Sequence, residues 1–302
     1  MKFVVGVPSF NRPKPLELAL TRLARRIDSV IIVADATDLV LLDRYKEVVK
    51  NVANYLSDVI YDIKLGRRGS VNARNRIFEL ANQHFTNYCV LITYDDDYIC
   101  PLEDWLSPIH KWINNEVVGM VGGRVINLKR RRIDPDFNLN ILPYVADILT
   151  KVTGFIFLDT RHGPRYVEYT THLMAIKMSL IKRGLRYDPE YRGTGYREES
   201  DLQEQLRKLG YRIVFEPRFY VYHLNLEAGG DRAIQDIATR FYWKARNNTY
   251  FMLKHRKPVY KLILSNLIIA TYALLHGSKA FTSATKGLSE ALSLKHYKGR
   301  EV

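Results

Sequence analysis

Three consecutive carboxylates, Asp95, Asp96 and Asp97, directly follow an apolar run at 89–94. Such a run is typical of a buried strand, so the acids are expected where that strand ends. Adjacent carboxylates repel one another, and hard divalent ions such as Mg²⁺ and Mn²⁺ relieve the repulsion by binding their oxygens. Alternation along an extended segment would place Asp95 and Asp97 on one side and Asp96 on the other. The pattern indicates a site for a metal ion and a diphosphate; the alternative is a solvated turn or a helix N-cap.

Two further carboxylates, Glu198 and Glu199, precede an amphipathic segment at 202–209 that ends at Gly210. The spacing of its apolar residues predicts a helix with both acids at its start. A carboxylate that takes a proton from a hydroxyl group acts as a general base, and Glu199 is the candidate for that role. The alternative is that both are ordinary first-turn acids, which stabilise the positive end of a helix.

The elements that must position these acids alternate between short apolar runs and longer helical patterns. Strands are predicted at 2–8, 29–34, 59–63 and 89–94, and helices at 15–25, 39–55 and 71–83. This alternation predicts an α/β fold with a mostly parallel sheet flanked by helices. Ligands of such sheets bind beyond the carboxyl ends of the strands, which here carry Ser9, Asp35, Arg68 and the three aspartates.

The second half of the chain gives weaker patterns. Strands are predicted at 117–125, 211–217 and 219–223, with strand-like residues at 166–178. A basic run at 129–132 is typical of a solvated loop.

Composition restricts the class of protein. The 302 residues are enough for one large domain or two joined subdomains, and no N-terminal signal is evident. The two cysteines, Cys89 and Cys100, have no partners elsewhere, which fits a reducing cytoplasm. The formal net charge is +14, and residues 232–302 hold thirteen Lys or Arg against three acids, a net +10. This excess predicts an anionic partner such as phospholipid, lipid pyrophosphate or nucleic acid; the alternative is a solubilising surface.

An apolar stretch at 260–275 lies within this basic region. Its sixteen residues include Lys, Ser, Asn and Thr, and they fall short of the roughly 20 apolar residues that span a bilayer comfortably. With Arg256, Lys257 and Lys261 at its start, the stretch favours an interfacial helix on an anionic membrane. The alternative is a core helix packed on the rest of the protein.

Several short motifs follow one another in an order that resembles the inverting family 2 glycosyltransferases with the GT-A fold. These motifs lie at 5–13 (VGVPSFNRP), 31–37 (IIVADAT), 73–75 (ARN), 95–97 (DDD), 122–123 (GG), 198–202 (EESDL), 210–212 (GYR) and 222–223 (YH). The resemblance covers nearly the whole chain. Departures are Ala34 in place of an acid, Thr171-His172 in place of two glycines, and Glu199 in place of Asp.

The resemblance implies a nucleotide-diphospho-sugar donor, a glycan or lipid-linked acceptor, and Mn²⁺ or Mg²⁺ as cofactor. The expected metal ligands are Asp97, Asp95 and His223, although a histidine at a strand end is also commonly structural. The expected nucleotide-sugar-binding residues are Pro8, Ser9, Asn11, Asp35, Arg68, Asp95 and Asp96. Glu199 or Glu198 would be catalytic, and His172 and Asp201 would lie on the acceptor side.

Three regions are predicted: a nucleotide-sugar-binding subdomain at 1–127, an acceptor-binding subdomain at 128–230, and a basic helical region at 231–302. The protein is expected to be cytoplasmic and peripheral on the inner face of the membrane. One alternative is a sugar nucleotidyltransferase, which normally needs a Gly-rich phosphate loop that residues 8–13 do not provide. Another is a nucleic-acid-binding protein that uses the basic C-terminal region, although an acid-lined sheet edge does not suit it.

Overall fold

The computed structural model describes residues 1–24, 26–128, 143–158, 162–226 and 236–294. The basic run at 129–132 lies outside these residues. Nine strands form one sheet in the order β3-β2-β1-β4-β8-β6-β9-β5, and β7 pairs with β9. The strands are β1 Lys2–Phe10, β2 Ser29–Ala36, β3 Asp58–Leu65, β4 Cys89–Thr93, β5 Tyr98–Ile99, β6 Val118–Asn127, β7 Arg165–Val167, β8 Met174–Lys177 and β9 Arg212–His223.

Ten helices surround the sheet in the described part of the chain. They are α1 Pro13–Leu23, α2 Leu39–Val52, α3 Ser70–His84, α4 Ser107–Ile113, α5 Pro143–Thr153, α6 Met178–Lys182, α7 Glu198–Lys208, α8 Ile237–Lys254, α9 Val259–Leu275 and α10 Ser278–Ser293. The α/β fold with flanking helices and a helical C-terminal region is therefore confirmed.

The first four strands run parallel in the order β3-β2-β1-β4. Every residue of β2 is buried, as expected for a strand that helices cover on both faces. The second half of the sheet is mixed, because β8 pairs antiparallel with both β4 and β6. The parallel half directs the carboxyl ends of β1, β2 and β4 to one edge, which is where the polar residues lie.

The described part of the basic C-terminal region packs against the rest of the chain. Helix α8 contributes Tyr250, Phe251 and Met252 to the hydrophobic core on the α3 face of the sheet. Arg246, Asn247, Asn248 and Thr249 on the same helix are also buried. Helix α8 therefore shares a hydrophobic core with α3 and the sheet, whereas the predicted boundary at 231 lies outside the described residues.

A buried ionic cluster joins α7 to α8. Asp201 has no exposed surface and pairs with His255 at 2.7 Å and Lys254 at 2.6 Å. Glu204 pairs with Lys257 at 2.7 Å. Burial opposes ionisation of both acids, but the hydrogen bonds and positive charges of these partners outweigh it, so the pKa of Asp201 and that of Glu204 are lowered.

This cluster predicts an acid-sensitive fold. A carboxylate with a lowered pKa stabilises the native state above its unfolded-state pKa of about 4, and that stability is lost as the pH falls further. We expect the free energy of unfolding to decrease as the pH drops below about 4. Asp201→Asn should make the free energy of unfolding less dependent on pH and should lower it by about 1–3 kcal/mol at pH 7. Urea denaturation across this pH range measures both effects. The control is Asp43→Asn, whose pair with Lys46 is exposed; an equal loss in both variants would contradict the assignment.

Candidate active site

A cavity of about 210 Å³ lies at the carboxyl ends of β1, β2 and β4. It brings together most of the residues that the sequence predicted for the site. The predicted residues that line it are Pro8, Ser9, Asp35, Asp95, Asp96, Asp97, His172, Glu198, Glu199 and His223. Arg12, Arg67 and Arg74 also line it, and the sequence had assigned no role to these three.

Asp96 forms the base of the cavity and is buried. Its Oδ2 accepts a hydrogen bond of 2.7 Å from the Ser9 hydroxyl, and its Oδ1 lies 3.2 Å from Nη1 of Arg12. Burial raises the pKa of Asp96 to about 7, although the positive charge of Arg12 opposes the rise. Asp96 therefore supports the loop that follows β1, because its side chain is directed at protein groups on that loop.

Asp97 contacts the same arginine and a histidine. Its Oδ2 lies 3.2 Å from Nη1 of Arg12 and 3.2 Å from Nε2 of His223, at the end of β9. Asp96 and Asp97 thus share one guanidinium. The alternation that paired Asp95 with Asp97 is wrong, because a turn at 96–97 replaces the extended backbone that alternation requires.

Asp95 lies in a different group, centred on Arg74 of α3. Nη2 of Arg74 is 3.3 Å from Asp95 Oδ1, and Nε2 of His172 is 3.1 Å from Asp95 Oδ2. The Arg74 guanidinium also pairs with Glu198 and lies 3.5 Å from Glu199 Oε1. Burial lowers the pKa of His172, against the opposing charge of Asp95. One cation therefore connects the acids after β4 to the acids at the start of α7.

The two glutamates differ in exposure. The Glu198 side chain is 3% exposed and the Glu199 side chain is 24% exposed. Glu198 is held against Arg74 and Gly195, and its Oε2 has no hydrogen-bond partner among the described residues. Glu199 can reach a molecule in the cavity with less rearrangement, so the geometry favours Glu199 over Glu198 as the base.

The oxygen and nitrogen atoms that line the cavity show whether a divalent ion could bind there. Within the described residues no three His, Cys, Asp or Glu side chains form a ready metal cage. Asp97 and His223 are adjacent and could supply two ligands. Mg²⁺ is commonly held by one or two carboxylates together with substrate phosphates and water, so this pair fits an ion that arrives with a diphosphate. Asp95 contacts an arginine and a histidine in the same way, at Arg74 and His172, and could supply a further oxygen.

Arg68 and Asn11 have structural contacts in place of the expected ligand contacts. The backbone N–H of Arg68 donates to Asp35 at 2.6 Å, and its side chain pairs with Asp35 at 2.7 Å and Asp62 at 3.1 Å. The Asn11 side chain accepts a hydrogen bond from the Thr37 backbone N–H and donates one to the Thr37 hydroxyl. Neither is among the described residues that line the cavity. The neighbouring Arg67 does line it, with its guanidinium 5.2 Å from the Phe10 ring centroid.

The prediction for Asp201 is also wrong. Its side chain is fully buried beneath α8 and cannot contact an acceptor. His172, its predicted companion, does line the cavity and packs against Tyr98 with ring centroids 5.3 Å apart.

Comparison with known proteins identifies the family. A model described as Glycosyl transferase family 2 matches residues 4–184, which is more than half of the chain. The chain belongs to glycosyl transferase family 2. The match ends before α7, so the family model covers the acids after β4 but not Glu198, Glu199 or His223.

Solved structures share the fold of this glycosyltransferase. The mannosyltransferase PcManGT from Pyrobaculum calidifontis, solved with GDP-Man and Mn²⁺, is 18% identical with a TM-score of 0.56 over 98% of this chain and 82% of that chain. Residues 1–349 of S. aureus TarS, with UDP-GlcNAc, are 16% identical with a TM-score of 0.56 over 98% and 77%. GalNAc-T7, with UDP, GalNAc and Mn²⁺, is 16% identical with a TM-score of 0.57 over 98% and 57%. No curated protein sequence matches the chain.

Proposed function

We propose that this family 2 glycosyltransferase transfers a sugar from a nucleotide-diphospho-sugar to an acceptor hydroxyl with inversion at the anomeric carbon. The observation that carries the proposal is that one cavity holds both the Asp97–His223 pair and the partly exposed Glu199. The first pair suits a metal-bound diphosphate, and the second group suits the proton of an attacking hydroxyl. Arg74 joins the two groups through the chain, because it contacts Glu199 and also Asp95, which lies two residues before Asp97.

The nucleoside end of the donor is assigned to the carboxyl ends of β1 and β2. Pro8, Ser9 and Asp35 line the cavity there, and Arg67 adds a cation that can pair with phosphate. Arg68 acts indirectly, because it holds the Asp35 carboxylate in place. The relatives solved with GDP-Man and with UDP-GlcNAc support a nucleotide-sugar donor and leave the base open.

Asp97 and His223 are the residues proposed to hold Mn²⁺ or Mg²⁺. The ion, when bound, would neutralise charge that develops on the departing nucleoside diphosphate. The relatives solved with Mn²⁺ support a divalent ion without distinguishing Mn²⁺ from Mg²⁺.

Glu199 is proposed to take the proton of the acceptor hydroxyl. As the acceptor oxygen bonds to the anomeric carbon, the bond from that carbon to the phosphate oxygen breaks and the nucleoside diphosphate leaves. Attack from the face opposite the leaving group gives the inverted product. Arg74, 3.5 Å from Glu199, keeps the carboxylate directed into the cavity before the acceptor binds.

The acceptor is proposed to be a glycan or a lipid-linked molecule presented at the anionic inner face of a membrane. The support is the basic C-terminal region and the apolar helix at 259–275. Among the described helices, none combines the length and apolarity needed to cross a bilayer.

Asp97→Asn tests the donor site. We expect this variant to keep its fold and to lose at least tenfold of the nucleotide affinity that depends on Mn²⁺, because the amide is a poorer ligand than the carboxylate. Calorimetry with GDP or UDP, with and without Mn²⁺, measures this difference. Asp58→Asn is the control, because Asp58 lies at the opposite end of β3 and pairs with Lys2. Unchanged Mn²⁺-dependent affinity in Asp97→Asn would defeat the assignment.

A further inference from the structure

One face of α9 is apolar and exposed. Tyr260, Ile263, Leu267 and Leu274 are spaced three, four and seven residues apart, which places them on one side of the helix. Each of the four is more than half exposed. The opposite side packs inward through Ile269 and Ala273. The helix is about 25 Å long, so the exposed face is a stripe and not an isolated side chain.

A second apolar stripe lies on α5, which packs against α9. Val145, Ile148 and Val152 repeat at the same helical spacing and are exposed, Ile148 by 57%. At the end of α5, the space beside Gly154 is filled by Lys261 of α9 and Met252 of α8. The exposed apolar residues of these two contacting helices are named here the α5–α9 face, and clustered exposed apolar residues of this kind mark interaction sites.

The charges around the α5–α9 face have one sign. Helix α9 contains no Asp or Glu, and Lys151 on α5 and Arg256 just before α9 are exposed. The acid of α5, Asp147, pairs with Arg165 at 2.8 Å. A second copy of the chain would bring this basic rim against itself, whereas an anionic bilayer satisfies both the apolar stripe and the cations.

The α5–α9 face is linked to the catalytic glutamates through one buried side chain. Arg197 donates to the Gly154 carbonyl at the end of α5 at 2.5 Å and to Asn248 of α8 at 2.9 Å. Asn248 in turn donates to Ser265 of α9 at 2.9 Å. Arg197 immediately precedes Glu198, so the face and the start of α7 are held in a fixed relation.

We propose that the α5–α9 face is the surface by which the protein docks on an anionic phospholipid bilayer, with the apolar stripe in the interface and Lys151 and Arg256 at the headgroups. The proposal rests on the proposed function, since the bilayer is where a lipid-linked acceptor would be presented. It assigns attachment to a structured face shared by α5 and α9, and not to basic charge spread along the C-terminal region.

The test uses the full chain and co-sedimentation with vesicles of phosphatidylglycerol and phosphatidylcholine, against vesicles of phosphatidylcholine alone. Wild-type protein is expected to bind the anionic vesicles at low salt and to be partly released by high salt. The double variant Ile263→Gln/Leu267→Gln should lower the partition coefficient at least about tenfold, because both side chains would otherwise enter the interface. Leu39→Gln/Val40→Gln is the matched control, since these exposed residues lie on α2.

The proposal would be overturned by no wild-type binding to anionic vesicles, by equal binding to both kinds of vesicle, by equal loss in the two double variants, or by unchanged binding in Ile263→Gln/Leu267→Gln. The proposal would also be overturned if the protein formed a dimer and did not bind vesicles, and if Ile263→Gln/Leu267→Gln but not the control variant dissociated that dimer. The α5–α9 face would then be an interface with a second copy of the chain. Calorimetry with GDP or UDP and Mn²⁺ runs alongside. If the wild-type protein binds nucleotide but not vesicles, only the docking face is rejected. If the wild-type protein does not bind nucleotide, the proposed donor site is rejected.

Discussion

Glu199→Gln is expected to lower the rate of sugar transfer on the order of 10²-fold or more, with donor affinity changed less than about threefold. The amide has nearly the shape of the carboxylate but cannot accept the acceptor proton. The affinity should persist because the proposed donor contacts are other residues of the cavity, Ser9, Asp35 and Asp97. The rate is measured as release of nucleoside diphosphate from GDP-mannose or UDP-N-acetylglucosamine, with a polyprenyl-diphosphate-linked sugar, which carries free hydroxyl groups, as trial acceptor.

Glu198→Gln is the matched comparison, because it changes the adjacent residue by the same atoms. Glu198 is buried against Arg74, so its loss of charge should lower the free energy of unfolding more than the Glu199 change does. Transfer should fall less in Glu198→Gln than in Glu199→Gln. If Glu198→Gln is the inactive variant and Glu199→Gln is active, the base is Glu198. A product with retained anomeric configuration would contradict direct displacement altogether.

The parallel half of the fold could be predicted from sequence because its inner strands β2, β1 and β4 are buried on both faces. A strand such as β2 then appears as a continuous apolar run, and its predicted limits differ from the observed ones by two residues at one end. The helices between these strands were predicted from the longer helical patterns that alternate with the apolar runs. The carboxyl ends of these strands are adjacent in any such sheet, so a shared site for Ser9, Asp35 and the aspartates followed without knowledge of side-chain contacts.

The second half was less predictable because its pairings are irregular. Two strands were expected at 211–217 and 219–223, whereas β9 is one strand that pairs with β6 on both sides of an irregularity. The register passes from Gly122–Phe215 to Arg124–Tyr220, so β9 has extra residues there, including Pro217. The two-residue strand β5 is too short to give a pattern, and it exists only because β9 lies beside it.

The site residues that sequence missed are the cations. Arg12 and Arg74 stood within the motifs at 5–13 and 73–75, but nothing in their spacing indicates which acids they would meet. Three aspartates in one short turn do require nearby positive charge, and that requirement was the available signal. The prediction for Asp201 was wrong for a different reason. An acid in the first turn of α7 can face either the cavity or α8, and the sequence does not distinguish the two. Only the packing of His255 decides between them.

Arg197→Met is expected to lower the free energy of unfolding by about 3–5 kcal/mol. The guanidinium is buried and has no acid partner among the described residues. It donates to Asn248 Oδ1 at 2.9 and 3.0 Å and to the Gly154 carbonyl at 2.5 Å, and lies 4.9 Å from the Phe251 ring centroid. Methionine fills similar space but leaves these oxygens without their donor. The backbone φ of +76° is unfavourable for both side chains, so the comparison isolates the guanidinium.

Urea denaturation measures this loss as a lower midpoint with an unchanged slope. Arg192→Met is the control, because Arg192 lies in the same segment with a side chain that is 63% exposed, and its pair with Glu190 should contribute less than about 1 kcal/mol. The double variant Arg197→Met/Asn248→Leu should lose less free energy of unfolding than the sum of the losses in the two single variants, since each change removes the same hydrogen bonds. Additive losses would show that Arg197 does not act through Asn248. Reduced transfer by folded Arg197→Met would extend its role to the catalytic helix, because this residue leads directly into Glu198 and Glu199.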